Sequence, residues 1–210
     1  MTETTIVHLL RHGEVHNPEG ILYGRLPGYN LSEDGVLMAK AAANFFAARD
    51  VTALVSSPME RARQTAAPLA ETLGLDVVVD DRLIEAANSF EGEKFAVRRL
   101  GDPKLWPRMR NPLTPSWGEP YEEIARRMLR AATAARDVAR GHEVVCVSHQ
   151  LPIWIARKKA EGHRLWHNPN SRQCGLASVT SLVFAGNALV RVDYAEPAKD
   201  LIRHPTTPGA

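Results

Sequence analysis

Short apolar runs alternate along this chain with longer segments in which apolar residues recur every three or four positions. Short runs bounded by turn residues are typical of buried strands, and the longer spacing is typical of amphipathic helices. Strands are predicted over Ile6–Leu10, Ala53–Ser56, Val77–Val79, Glu143–Val147, Val179–Phe184 and Leu189–Val192. Helices are predicted over about Glu33–Ala48, Met59–Leu73, Tyr121–Ala139 and Pro152–Ala160. This order predicts an α/β fold in three layers, with an open, mostly parallel sheet covered by helices on both faces.

Turn and capping residues add detail to this pattern. Ser57 followed by Pro58 and Glu60 has the spacing of a capping box, which predicts that the second helix begins there. Gly74 suits the left-handed residue that ends the same helix. The short connection around Gly186 predicts a hairpin between the last two strands, and therefore an antiparallel edge strand.

The 210-residue length suits a single domain spanning residues 1–210. A proline-rich stretch at about 95–120 is long for a connection within a compact domain, and is predicted to be a lid-like insertion. Trp106 and Trp117 are expected to pack this lid onto the core rather than to line a substrate mouth. The polar tail at about 196–210 is expected to be irregular and loosely packed.

Composition narrows the class of protein. Hydrophobic residues make up 44% of the chain and charged residues 24%, which is typical of a globular domain. The formal net charge of +2 gives no general footprint for nucleic acid or for an anionic membrane. The sequence shows neither a signal-peptide pattern nor an apolar stretch of membrane-spanning length. Cys146 and Cys174 form no disulfide framework, so a reduced, cytoplasmic setting is expected.

Chemically versatile side chains follow four of the predicted strands. They are Arg11 and His12 after the first, Ser57 and Arg61 after the second, Glu85 after the third, and His149 with Gln150 after the fourth. Ligands of open α/β sheets bind beyond the carboxyl ends of the strands, so these groups are expected to converge on one edge. An imidazole can attack phosphorus, guanidinium groups can hold phosphoryl oxygens, and a carboxylic acid can protonate a leaving alkoxide. The set therefore predicts chemistry on a phosphoryl group without a metal ion.

The same residues carry a resemblance to a known family. The matching segments are Leu10-Arg11-His12-Gly13-Glu14, Leu31-Ser32-Glu33-Asp34-Gly35, Ser56-Ser57-Pro58-Met59-Glu60-Arg61-Ala62-Arg63-Gln64-Thr65-Ala66, Leu83-Ile84-Glu85 with Glu91-Gly92, Gly118-Glu119, and Val147-Ser148-His149. In this order they resemble the histidine phosphatase superfamily, the phosphoglycerate mutase-like proteins. The resemblance covers most of the chain up to about residue 155.

The resemblance implies catalytic roles for five residues. His12 would be the nucleophile that becomes phosphorylated, and Glu85 would be the general acid and base. Arg11 and Arg61 would hold the phosphoryl oxygens, and His149 would complete the pocket.

Four further residues are expected to bind substrate, and three of them depart from the family pattern. Asn17 stands one residue earlier than the usual phosphate-binding asparagine, and Gln150 replaces the usual glycine after the second histidine. Arg25, which follows Gly24, replaces an acidic residue and adds positive charge near the mouth of the pocket.

The sequence thus predicts a phosphomonoester hydrolase that acts on a small phosphorylated metabolite, releases inorganic phosphate and needs no cofactor. Two alternatives stay open: a phosphoglycerate mutase, and a regulatory protein that binds a phosphorylated ligand with weak catalysis. The chain is short for the family's mutases, which favours the hydrolase. The substrate is left open, and a homodimer is the oligomeric state to test.

The remaining histidines and arginines have simpler interpretations. His8 alternates with apolar neighbours and is expected to be a satisfied histidine of the sheet. His163, His167 and Cys174 would make a metal cluster only on a helix, which Gly162 argues against. The arginines of the third helix are expected to form a solvated face.

Overall fold

A computed structural model describes residues 3–94 and 117–202 of the chain. The strands are β1 (Thr4–Arg11), β2 (Val51–Ser56), β3 (Val77–Val79), β4 (Glu143–Ser148), β5 (Val179–Ala185) and β6 (Ala188–Ala195). The α-helices of the described residues are α1 (Glu33–Phe46), α2 (Glu60–Leu73), α3 (Tyr121–Val138) and α4 (Gln150–Ala160). Each predicted strand and helix is present, with ends shifted by a few residues. Most of the predicted lid, including Trp106, lies outside the described residues.

The six strands described form one sheet in the order β3-β2-β4-β1-β5-β6. Strands β1 to β4 run parallel to one another, and β5 runs antiparallel to both β1 and β6. The predicted hairpin therefore forms. The strand of this hairpin that runs antiparallel to β1 is β5. It lies one place in from the edge of the sheet, because β6 pairs with its other side.

Helices cover both faces of the sheet, as the alternation of apolar runs predicted. On β4, Val144 and Cys146 pack with α3 and α4, whereas Val145 and Val147 pack with α1 and α2. Successive side chains of a strand point to opposite faces, so a continuous apolar run is needed when both faces are covered. Cys146 is a buried core residue, as expected.

The start of α2 differs from the sequence prediction. The helix begins at Glu60 with Met59 at its N-cap, so the capping box predicted at Ser57 does not form. The Ser57 hydroxyl instead lies 2.8 Å from Nε2 of His149. At the other end, Gly74 adopts the predicted left-handed conformation with φ of 67°.

The first part of the tail is packed against the domain. Residues 199–201 form a 3-10 helix, and Ala198 is buried in a cluster with Met38 and Leu176. This differs from the loose packing expected of the tail, because Ala198, Leu201 and Ile202 pack in this cluster with Met38 of α1. Residues 203–210 lie outside the described part. Within the described ranges, no helix is long and apolar enough to cross a lipid bilayer.

Candidate active site

The parallel strands bring three chain segments to one edge of the sheet. Arg11 at the end of β1 pairs in register with Ser148 at the end of β4, and Ser56 of β2 pairs with Val147. The residues that follow these strands therefore emerge side by side. This register places His12, Ser57 and His149 around a common point, as the order of motifs along the chain predicted.

His12 is held with one ring nitrogen ready to attack. Its Nδ1 lies 2.7 Å from the carbonyl oxygen of Gly13, which only accepts, so Nδ1 carries the proton and Nε2 has a free lone pair. Burial, and then the cations of Arg61 and Arg11, hold the pKa of His12 well below its ordinary value of 6.5. The ring is therefore neutral and nucleophilic near pH 7.

The turn after His12 leaves no room for a side chain. A Cβ at Gly13 would lie 2.5 Å from the carbonyl oxygen of Gly35, at the start of α1. The amide N–H of Gly13 donates to Thr65 of α2 at 3.1 Å, and the Thr65 hydroxyl donates to the carbonyl of Arg61 at 2.7 Å. The turn that carries His12 is thus tied to the helix that carries Arg61.

Arg61 is fully buried, yet part of its guanidinium group has no acceptor. Its Nη2 donates to the carbonyl oxygen of Gly24 at 2.7 Å, and its Cζ lies 4.7 Å from the ring centroid of Tyr23. Its Nε and Nη1 have no hydrogen-bond partner among residues 3–94 and 117–202, and no carboxylate there lies within 4.0 Å. Two charged donors are therefore left without an acceptor in the described part of the chain.

Arg11 is the second buried cation of the site, and the loop before β5 holds it. Its Nη1 donates to the carbonyl oxygen of Cys174 at 2.8 Å. Arg11 and His12 both line the same cavity.

His149 faces His12 across the pocket. The two ring centroids lie 5.2 Å apart, with an angle of 60° between the planes. Nε2 of His149 is bonded to the Ser57 hydroxyl at 2.8 Å, and in the described part of the chain Nδ1 is buried without a partner. Burial, and then the cation of Arg61, hold the pKa of His149 well below 6.5.

Glu85 supplies a carboxyl group at the edge of this basic cluster. Its Oε2 lies 4.0 Å from Nδ1 of His149, and its Oε1 accepts from the amide N–H of Ala86 at 2.8 Å. Burial raises the pKa of Glu85 above its ordinary value of 4.5, so the protonated form persists to higher pH. At the end of β4, the Ser148 hydroxyl donates to the carbonyl of Leu83 at 2.7 Å and anchors the Glu85 loop.

An ion-pair network fixes the same loop from the other side. Arg127 of α3 donates to the carbonyl oxygens of Arg82 and Ile84 at 2.6 and 2.7 Å, and it pairs with Glu119 at 2.7 Å. Arg25 donates to the Glu85 carbonyl at 2.7 Å and to Glu119 at 3.1 Å. Since these contacts join segments far apart in sequence, they explain how a loop residue can be held at a fixed place.

A cavity of about 170 Å³ opens beyond His12. Its lining includes Gly24, Glu85 and Gln150, which were expected at the site, together with Trp117. Trp117 thus borders the cavity, and the lid that it was expected to pack lies mostly outside the described residues. At the start of α4, Gln150 and Leu151 face this space, so a helix N-terminus favourable to an anion lies beside His12.

Arg61 and His149 are not among the residues that line this cavity, and neither are the predicted binding residues Asn17 and Arg25. The Asn17 side chain bonds to the main chain of Ile21 through both amide atoms, at 2.8 and 3.1 Å, and closes its own loop. Arg25 is engaged by Glu119 and by the Glu85 carbonyl, so its charge is neutralised within the protein. The structure thus gives both residues a part in shaping loops, and their contact with substrate stays a prediction.

Two side chains at the cavity were missed by reasoning from the sequence. Tyr23 lies against Arg61, and Arg172 lies at the far side, beyond Gln150. Neither residue follows a parallel strand, which is where the sequence pattern predicted functional side chains. Because β5 runs antiparallel, its first residue, Val179, pairs with Leu10, and the residues before β5 reach the active edge. The hairpin predicted around Gly186 is the signal that could have identified the residues before β5 as part of the site.

No group of three or more metal-binding side chains is found within the described ranges. His163 pairs with Glu161 at 3.3 Å, and His167 is bonded to Arg172 at 2.9 Å. The His163, His167 and Cys174 set therefore does not come together.

Comparisons with known proteins agree with this geometry. The family model of the histidine phosphatase superfamily (branch 1) matches residues 7–196. An uncharacterized protein of Mycobacterium tuberculosis, Rv0525, is 55% identical over 205 residues, which covers 94% of this chain and 99% of that protein. The structure of mycobacterial glucosyl-3-phosphoglycerate phosphatase is similar with a TM-score of 0.73 and 29% identity, over 91% of this chain and 97% of that one. A structure called mycobacterial hydrolase 1 is similar with a TM-score of 0.75 and 30% identity, over 90% of this chain and 97% of that one.

Proposed function

The chain belongs to the histidine phosphatase superfamily, and from this premise we propose that it is a phosphomonoester hydrolase that works through a phosphohistidine intermediate. The proposed substrate is a small phosphorylated metabolite, and the proposed products are an alcohol and inorganic phosphate. The reaction uses only the protein's own side chains and water.

One observation carries the proposal: the buried guanidinium group of Arg61 has two N–H donors, Nε and Nη1, without an acceptor in the described part of the chain. Nδ1 of the neighbouring His149 is also buried there without a hydrogen-bond partner. A buried cation without an anion is unfavourable by several kcal/mol or more, so such a group is expected to meet a negative charge. A phosphoryl group, with its charge spread over three oxygens, matches donors that converge from different directions.

In the first step, Nε2 of His12 attacks phosphorus and the bond to the leaving oxygen breaks. Arg11, Arg61 and His149 stabilise the charge on the other three oxygens. The proton of Glu85 passes to the leaving alkoxide, so the alcohol departs neutral. Electrostatic support should strengthen in the transition state, because a positive charge develops on His12 while the phosphoryl group stays negative.

In the second step, the Glu85 carboxylate takes a proton from water while the water oxygen attacks the phosphohistidine. The bond from phosphorus to Nε2 breaks, and its electron pair returns to His12. Inorganic phosphate is released, and Glu85 is again protonated for the next cycle. The 4.0 Å distance between Glu85 Oε2 and His149 Nδ1 supports this role, because it places the carboxyl group beside a proposed phosphoryl ligand.

The direct test is turnover of an aryl phosphate by the native protein and by His12→Ala. We expect kcat/KM to fall by at least about 10⁴-fold in the variant, because the nucleophile is removed. Native protein quenched with alkali during turnover should carry a base-stable, acid-labile phosphoryl group that His12→Ala lacks. His163→Ala, which removes an exposed histidine with 62% of its side chain accessible, is the matched control. Undiminished turnover by His12→Ala would overturn the proposal.

The same preparation separates the two alternatives. A mutase must keep water away from the phosphohistidine, so 3-phosphoglycerate would be isomerised with little release of phosphate. A regulatory protein would bind vanadate or phosphate tightly and turn over none of a broad panel of phosphoesters. The hydrolase releases phosphate from the panel without isomerising 3-phosphoglycerate.

A further inference from the structure

A third cation stands at the outer side of the cavity, in a loop that the proposed mechanism does not use. Arg172 follows the 3-10 helix Pro169–Ser171 and lines the cavity together with Glu85 and Gln150. It reaches this place because β5 is antiparallel, which brings the preceding loop to the same edge as the ends of β1 and β4.

Two neutral acceptors fix the direction of Arg172. Its Nε donates to Nε2 of His167 at 2.9 Å, and its Nη1 donates to Oε1 of Gln150 at 3.3 Å. His167 can accept because its Nδ1 donates to the carbonyl oxygen of Leu165 at 2.8 Å, which leaves Nε2 without a proton. Burial lowers the pKa of His167 to about 4, so this acceptor persists throughout the neutral range.

No carboxylate compensates the charge of Arg172 within 4.0 Å in residues 3–94 and 117–202. A guanidinium group has five N–H donors, and the two bonds above leave three of them beside the cavity. Because Nε of Arg172 is bonded to His167, the N–H donors that remain are those of Nη1 and Nη2, at the end of the guanidinium group. A planar fork of this kind matches the two oxygens of a carboxylate.

We propose that Arg172 binds a carboxylate of the substrate, remote from the phosphoryl group, and thereby selects phosphorylated acids over neutral phosphate esters. This inference rests on the proposed function. Among the cavity-lining residues of the described ranges, Arg11 and Arg172 are the arginines, and Arg11 is proposed to hold the phosphoryl group. The single positive charge of Arg172 is therefore available for a singly charged group such as a carboxylate.

The experiment compares 3-phosphoglycerate with glycerol 3-phosphate, which has a hydroxymethyl group in place of the carboxylate. We expect native kcat/KM to be at least about tenfold higher for the acid, since a charged hydrogen-bonded pair is lost with the neutral ester. Arg172→Gln should lower kcat/KM by about 10- to 100-fold for 3-phosphoglycerate and by less than about threefold for glycerol 3-phosphate. Arg164→Gln removes an exposed arginine of the same loop, and it should change neither value.

Equal losses on both substrates would overturn the inference, because Arg172 would then act on Glu85 or on the fold. The inference also fails if Arg172→Gln leaves turnover of 3-phosphoglycerate unaffected. A binding measurement separates this failure from that of the proposed function. Calorimetry in a Glu85→Gln background, which keeps all cations, should show that adding Arg172→Gln weakens binding of 3-phosphoglycerate at least about tenfold and of glycerol 3-phosphate hardly at all. This result is expected whether or not the native protein turns over an aryl phosphate, and absent binding of the acid would contradict the inference.

Discussion

The inner and outer halves of the candidate site are built in different ways. The inner half consists of Arg11, His12, Arg61 and His149, which sit on or directly beside β1, α2 and α4 and are almost wholly buried. The outer half consists of loop residues, and each of those is held by contacts with segments distant in sequence. Regular elements thus fix the groups proposed to act on phosphorus, and loops fix the groups that meet the rest of the substrate.

This difference follows from how each half gets its geometry. Because Arg11 pairs in register with Ser148, the residues that follow them, His12 and His149, are neighbours. In contrast, Glu85 depends on a hydroxyl from β4, a guanidinium group from α3 and another from the loop before α1. A substitution in the inner half should therefore change the rate of the chemical step. A substitution in the outer half should change substrate specificity or the stability of a loop.

A matched pair of arginine substitutions is the strongest test of the difference between the inner and outer halves. Arg61→Met should lower kcat/KM for an aryl phosphate by about 10³-fold, or ~4 kcal/mol, because two buried charged donors are lost from the transition state. Arg25→Gln removes the same charge from the outer half and should cost less than about fivefold, since Glu119 already neutralises Arg25. Steady-state kinetics at constant ionic strength, with thermal unfolding to verify folding, provides the measurement. Similar losses in both variants would show that the halves are not distinct.

A smaller effect is expected at Glu85, and it should depend on the leaving group. Glu85→Gln should lower kcat/KM for an alkyl phosphate by about 10²-fold, and for a nitrophenyl phosphate by less than about tenfold, because only the alkoxide needs a proton. An equal loss with both substrates would instead assign Glu85 to binding or folding.

The pH dependence of kcat/KM for the native protein tests the same role of Glu85. The pKa of His12 is well below 6.5, so protonation of the nucleophile should reduce kcat/KM only at acidic pH. Burial raises the pKa of Glu85, so its acid form should be lost, and alkyl turnover should fall, as pH rises above the ordinary carboxyl range. The alkaline fall should disappear with the nitrophenyl ester. An alkaline fall that survives in Glu85→Gln would assign it to another group.

The smallest effect is predicted at Asn17. Asn17→Ala should change kcat/KM by less than about threefold, while the free energy of unfolding drops by ~1 kcal/mol with the two hydrogen bonds to Ile21. Urea unfolding and steady-state kinetics on the same variant measure both quantities. A tenfold loss of kcat/KM at unchanged stability would restore the phosphate contact that the family resemblance implied.

Much of the fold was predictable, and the exceptions have local causes. Apolar runs located every strand of the described sheet, because burial on two faces demands uninterrupted apolar residues such as those of β4. The capping box at Ser57 was wrong because a hydroxyl can bond to a distant ring as readily as to its own helix. The ion pair of Arg25 could not be predicted for a similar reason, since its partner Glu119 is almost a hundred positions away.

The sequence by itself determined the order of strands and helices along the chain. It also placed Arg11, His12, Arg61 and His149 at or soon after the ends of strands. It could do so because strand periodicity, turn residues and the motifs are all local in the chain. Only the tertiary structure decided where Glu85 rests, how Asn17 and Arg25 are used, and that Arg172 faces the cavity. Those positions depend on contacts between segments far apart in sequence, and on the direction of β5, which no local pattern around Arg172 records.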